Sequence, residues 1–291
     1  MANAIYPLYK QALMSAENNV SLISGALSNA IVITSATGTG STATLNFSGT
    51  TNFKVGDVIN VAGINVDTYN GTHTITEVIG GGSPAIKFAS AETIASTATV
   101  ISDVNASTPV AGTARVTTST VHNLSAGDFI NISGTTNFNG TFRVINVPTT
   151  TTFDITSAET VSETAITANL NGTFSGPRIK ATLIDANDRG YVTTDEYYSA
   201  ISGVVGAEVS MQEIQNTTLN TSGVFDGDNI TFVNVTGDTS ESLLIWIDTG
   251  TDATSRLVAY MDTGITGLPI TPTQGGGDID VLWNDSGIFR L

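Results

Sequence analysis

Apolar and β-branched residues along this chain come in short runs, broken at close intervals by Gly, Asp, Asn and Thr. Toward the C-terminus, Ile230–Val235, Ser242–Asp248, Arg256–Asp262 and Ile279–Trp283 alternate or run apolar as strands do. Gly227, Gly237, Gly250, Gly264 and Gly267 lie between them and supply backbone freedom for tight turns. The stretch predicts a compact antiparallel sheet unit. Near the start, residues 5–16 have helical spacing, with Tyr9, Ala12, Leu13 and Ala16 on one face and Pro7 suited to a first turn. Val20–Ile23 predicts a strand, and Arg178–Asp185 predicts another that pairs with it. Thr194–Ser202 predicts a short helix capped by Thr193 or Thr194, and Val204–Thr218 alternates again.

The middle of the chain is a duplication. Gly56-Asp57 answers Gly127-Asp128, and Tyr69-Asn70-Gly71-Thr72 answers Phe138-Asn139-Gly140-Thr141. Ser90-Ala91-Glu92-Thr93 answers Ser157-Ala158-Glu159-Thr160. The offset shrinks from 71 to 69 to 67 residues, so loops were trimmed while strands stayed in phase. Such self-similarity means two copies of one supersecondary unit. In each copy, Asn-Gly after an aromatic predicts a type I′ hairpin turn. The Gly-Asp pair precedes an apolar strand, Val58–Val61 or Phe129–Ile132, and His73–Val78 or Phe142–Val147 follows the Asn-Gly. Several strands in so short a span predict a small barrel or sandwich. Residues 101–113 read as a linker between the copies.

The expected architecture is therefore all-β with minor α. An antiparallel β-sandwich or barrel base domain, residues 1–25 plus 177–291, is interrupted by two tandem small β-barrel-like modules at 26–105 and 106–176. Exposed hairpin tips tolerate such insertions best.

Composition narrows the function classes. Charged residues make up 12% of the 291 and hydrophobic ones 40%, which suits a Thr-rich β protein with real cores. The formal net charge is −16 with ten Lys and Arg, so no electrostatic footprint for nucleic acid exists. With no cysteine, disulfides, thiol catalysis and thiolate metal sites are excluded. Met1–Ala16 lacks a basic n-region and a long apolar core, which predicts a chain without a secretory leader. No apolar run is long enough to predict a membrane span.

Several segments resemble a small virion protein of tailed bacteriophages. They are ANAIYPLYKQALMSAENNVSL at the start, RIKATLIDANDRGYVTTDEYYSAISGV, and FDGDNITFVNVTGDTSESLLIWIDTGTDATSRLVAYMDT with the following GLPITP, GGGDIDVLW and IFRL. The resemblance covers residues 1 to about 25 and about 177 to 291, not the middle. The repeat pattern G-D-x-I-x-I-x-G followed by Y/F-N-G-T is similar to small β-modules of phage tail, baseplate and decoration proteins. The resemblance implies a phage structural or head-decoration protein.

Candidate chemistry is sparse. His73 and His122 are the only histidines and hold non-equivalent places in the repeats, so exposed polar or turn positions are expected for them. Asp226-Gly227-Asp228-Asn229 opens like a calcium loop but has Ile230 and Thr231 where that loop needs a ligand and a glycine, so Asx turns are expected instead. Asp278 and Asp280 share a strand face and read as solvated. No nucleophile elbow, zinc-binding helix motif or phosphate-binding loop occurs. A Lys–Asn cross-link involving Lys54, Lys87 or Lys180 is the remaining covalent option, and nothing in the pattern favours it. No catalytic residue, metal ligand or cofactor is expected, and the chain is expected not to be an enzyme.

Contact residues are expected at the chain ends: Tyr6 and Tyr9 on the N-terminal face, and Ile288, Phe289, Arg290 and Leu291 at the other end. The partners implied are further copies of the chain, expected as a trimer, and other phage structural proteins such as the major capsid protein. The location implied is the virion, assembled in the host cytoplasm. The expected role is a capsid decoration or cement protein seated by the base domain with its repeats outward. A collar, fibre or baseplate role is the alternative. A host-glycan-binding module is a third, disfavoured by the scarcity of aromatics in the repeats.

Overall fold

A computed structural model describes residues 3–22, 30–265, 267–272 and 276–291. Ala4–Ile5 (β1) and the helix Pro7–Met14 (α1) come first. The first repeat supplies Ile31–Gly38 (β2), Thr42–Phe47 (β3), Val58–Ala62 (β4), Gly71–Ile79 (β5) and Ala85–Ala89 (β6). Then come Thr99–Ala106 (β7), Thr113–Thr118 (β8), Phe129–Ser133 (β9), Gly140–Thr149 (β10) and Thr152–Thr156 (β11). Two short strands, Ala168–Asn171 (β12) and Thr173–Ser175 (β13), end the repeats. The rest comprises Arg178–Ile184 (β14), Ser199–Ser202 (α2), Glu208–Glu213 (β15), Thr218–Leu219 (β16) and Val224–Asp226 (β17). Ile230–Val235 (β18), Ser242–Asp248 (β19), Leu257–Met261 (β20), Gly277–Val281 (β21) and Phe289–Arg290 (β22) complete the chain. The protein is all-β with minor helix.

The chain divides into two compact units, Met1–Ala26 with Pro177–Leu291, and Leu27–Gly176. In the first, a five-stranded antiparallel sheet runs β1-β20-β19-β14-β15. Strands β19 and β20 are buried along nearly their whole length, which explains their continuous apolar runs. Trp246 stacks on Tyr198 with ring centroids 3.8 Å apart, and its indole N–H donates to the Thr182 hydroxyl at 2.8 Å. The predicted C-terminal strands are present but belong to two sheets, because β18 pairs only with β21 while β19 and β20 join the larger one.

Three local expectations are corrected here. Val20, Ser21 and Leu22 form no strand, and Ile23 lies outside the described residues. The partners of β14 are β15 and β19 instead, and the N-terminal segment joins this sheet through β1 against β20. Helix α2 starts only at Ser199, and its N-cap is Tyr198, which makes no side-chain capping bond, rather than Thr193 or Thr194.

The second unit holds two closed six-stranded barrels. One runs β13-β2-β3-β6-β5-β4 and the other β10-β11-β8-β7-β12-β9. Residues 101–113 are not a linker: β7 is a stave of the second barrel, and Pro109 to Gly112 lie in the turn leading to β8. Their small polar residues misled because a half-buried barrel strand alternates them with Ile101, Val104 and Ala106, all buried. The module boundaries shift accordingly. The second barrel takes all its strands from Thr99–Asn171, whereas the first draws its closing strand, β13, from beyond it. The copies are nested rather than simply tandem.

The crossing point is a pair of glycines. A Cβ on Gly172 would sit 2.7 Å from Ile64 Cγ1 and 2.9 Å from the Ala62 carbonyl oxygen, so only glycine lets β12 pass into β13 here. Gly63 holds φ +77° opposite it, and a Cβ there would approach both Gly172 and Ile130 at 3.2 Å.

Candidate functional site

The residues expected to make contacts divide between the interior and the surface. Tyr6 and Tyr9 are fully buried in the base core, so they are not a free contact face. Tyr6 packs 5.0 Å from Tyr191, and the Tyr9 hydroxyl donates to the Val20 carbonyl at 2.9 Å. Burial pushes both phenols well above their ordinary pKa, with Asp195 adding to the effect at Tyr6. Their spacing was legible, but a helix face that docks on its own sheet looks the same in sequence as one that docks on a neighbour.

At the other end, Ile288 is buried and Phe289 packs on Phe225 at 4.9 Å. The Arg290 Nε–H donates to the Ser222 carbonyl at 2.9 Å. Phe289 is only half-buried and Leu291 is 42% exposed, while the Leu291 N–H is bound to the Gly223 carbonyl. The C-terminal residues therefore close a small sheet, β16-β17-β22.

The repeat motifs converge on one construction in each barrel. Gly56 and Gly127 hold φ +91° and +93°, and their N–H groups donate to Ile75 and Val144 at 2.8 and 2.7 Å. Asp57 and Asp128 accept the Lys54 and Ser125 N–H groups at 2.9 and 2.8 Å. The Asn-Gly pairs are not type I′ turns, since Asn70 lies at φ −78° and only Gly71 is left-handed. Instead the asparagine carboxamides act as clamps. Asn70 Oδ1 accepts the Ile64 N–H at 3.0 Å while its Nδ2 donates to the Ile64 carbonyl at 2.7 Å. Asn139 does the same to Thr135, at 3.0 and 2.6 Å. Each carboxamide imitates a peptide unit and fastens the loop over the buried aromatic Tyr69 or Phe138.

The segments after β6 and β11 are straps. Ser96 Oγ accepts the Ala36 N–H, and Ser162 Oγ accepts the Ala106 N–H, both at 2.9 Å. The Glu163 carboxylate receives the N–H groups of Thr136 and Asn137 at 2.6–3.0 Å. Ile94 and Val161, matching positions in the two straps, are 59% and 62% exposed.

Neither histidine is exposed, although exposed polar or turn positions are expected from the sequence. His73 is half-buried and stacks on Phe88 at 3.8 Å. His122 is buried: its Nδ1 accepts the Leu124 N–H at 3.0 Å, so Nε2 carries the proton and donates to Thr149 at 3.2 Å. Burial lowers both imidazole pKa values. Val121, His122, Asn123, Leu124, Val147, Thr149 and Thr150 line a hollow of about 330 Å³, with the imidazole nitrogens already engaged.

One carboxylate cluster was missed. Asp185, Asp188 and Asp238 bring oxygens within 4.8 Å of one another, Asp185 buried and the others exposed. Asp185-x-x-Asp188 was visible in sequence, but Asp238 arrives from a distant loop. The Asp185 carboxylate accepts the Asn187 N–H at 2.8 Å. The calcium-like stretch is held by hydrogen bonds of its own: Asp226 to Gly227 N–H, Asp228 to Asn216, and Asn229 to the Trp283 N–H.

In chemical terms these groups fasten loops and fill cores. No nucleophile–base pair stands among the described interactions. The chain matches no family model and no curated protein.

Proposed function

We propose that this chain is a non-enzymatic structural component of a tailed-phage particle, specifically a capsid decoration protein. On this reading the base domain seats on the shell and the two barrels are carried outward. The observation that carries it is the partition of the chain. The segments resembling the small virion protein fall in one compact unit, and the repeats, which that resemblance does not cover, fall in the other. Closed barrels also present no free sheet edge for unwanted pairing, which suits an exposed projection. The open sheets of the base domain suit assembly with copies of itself, as a trimer, and with a major capsid protein.

Imaging assembled particles tests this. Density for the base domain against the shell, with the barrels as separate outer knobs, is the expected result. A chain absent from purified particles would refute the virion role. A chain found only on the tail would refute decoration while keeping the structural role.

A further inference from the structure

We propose that the first barrel depends on the second for its closure, and that the dependence runs one way. In the first barrel, β2 and β4 are not paired with each other. They are joined only through β13, whose Thr173 and Phe174 face Val32 and Ile31 on one side and Ala62 and Val61 on the other. That stave reaches its slot only after the chain has traversed Thr99–Asn171, the whole second barrel. The second barrel takes no strand in return, since its closing strand β12 pairs with its own β7 and β9.

Folding of the second barrel is what makes the delivery easy. Its first and last strands are neighbours, Thr99 opposite Leu170, so its entry and exit lie side by side. With the second barrel folded, the connection from β6 to β13 is effectively about ten residues long. With it unfolded, about 80 residues of free chain separate β6 from β13, a longer loop to order.

Direct contacts add to this. The Thr173 hydroxyl donates to the Phe129 carbonyl of β9 at 2.7 Å. Ala62 of β4 is buried within the second barrel's core cluster. Ile130 of β9 lies against Gly63. Each of these is lost when the second barrel opens.

The test is native-state hydrogen exchange of the full chain in low urea, with matched mild core truncations. Ile155→Val on β11 and Ile86→Val on β6 both remove one methylene from fully buried sites, one in each barrel. Ile155→Val is expected to speed exchange about five-fold in β7–β12 and to leave β13, β2 and β4 unchanged, because these open while the second barrel is still folded. Ile86→Val is expected to speed β2–β6 and, by the same factor, β7–β12, because the second barrel opens only from states in which the first is already open. Thr173→Val, which removes the hydroxyl bond between the barrels, is expected to speed both as well. The proposal is overturned if Ile86→Val leaves β7–β12 at their original rates. It is equally overturned if Ile155→Val speeds both barrels alike.

Discussion

In the first barrel, Lys87 on β6 faces Glu77 on β5 at 2.8 Å, with the side chains 28% and 53% exposed. At the matching places in the second barrel, Asp154 on β11 is 1% exposed and bound from both sides. Arg115 of β8 donates to it twice, at 2.7 and 2.9 Å, and Asn146 of β10 donates at 3.0 Å. One backbone position thus carries a cation in one copy and an anion in the other. Burial alone would raise the Asp154 carboxyl. The bonds from Arg115 and Asn146 outweigh that and hold it below its usual range. The barrel pairing is set by the strands themselves, so the duplicated frame accepted an inversion of charge. What changed is the energetic stake. A solvated pair contributes little, whereas a buried one is expensive to break.

The largest effect should therefore separate the two copies. Asp154→Ala is expected to destabilise by about 2 kcal/mol, because it leaves Asn146 and the part-exposed Arg115 without their shared acceptor. Lys87→Ala at the matching position should cost less than about 1 kcal/mol. Urea unfolding of the two variants checks this, and equal losses would dissolve the distinction. A smaller and symmetric effect is expected from the clamps. Asn70→Ala and Asn139→Ala should each destabilise by about 1 kcal/mol, since each leaves one loop N–H and one loop carbonyl without its partner. Clearly unequal midpoints would mean that the two loops are not held alike.

The smallest expected effect comes from the imidazoles. Both histidines have folded pKa values below the unfolded value of about 6.5, so below that pH the unfolded chain binds more protons. Stability should be full above about pH 7 and fall as the pH drops through the unfolded value of about 6.5. His73→Phe, which installs the residue found at Phe142, should remove the first barrel's share of that slope. A urea midpoint that is flat across this range in the native chain would contradict the assignment.

The duplication made the barrels legible in the sequence, because Gly56-Asp57 and Gly127-Asp128 mark turns that both copies use identically. The all-β class followed from the same alternation. Four things stayed hidden, each for a physical reason. Strand β13 is three residues long and lies a whole module away from its partners, so no local period reveals it. Asn70 and Asn139 read as turn formers because their backbone preference is a local property, whereas their carboxamides act across a loop. Tyr6 and Tyr9 were visible as an apolar face, but period alone does not say what covers it. The Asp185, Asp188 and Asp238 cluster needed the tertiary fold to assemble.

The clamps also bear on how the polypeptide ages. Asn-Gly is the dipeptide most prone to deamidation, in which the glycine nitrogen attacks the asparagine Cγ and expels ammonia. Asparagine lability of this kind limits protein lifetime at high temperature. The chain contains three such dipeptides, at Asn70, Asn139 and Asn171. At the first two, the carboxamide is tied to a peptide unit on the far side of its loop. The third donates to Asn131 and Ser133 on the neighbouring strand. In every case the group must break those bonds before it can swing onto the glycine nitrogen, so covalent decay at these peptides waits on local unfolding.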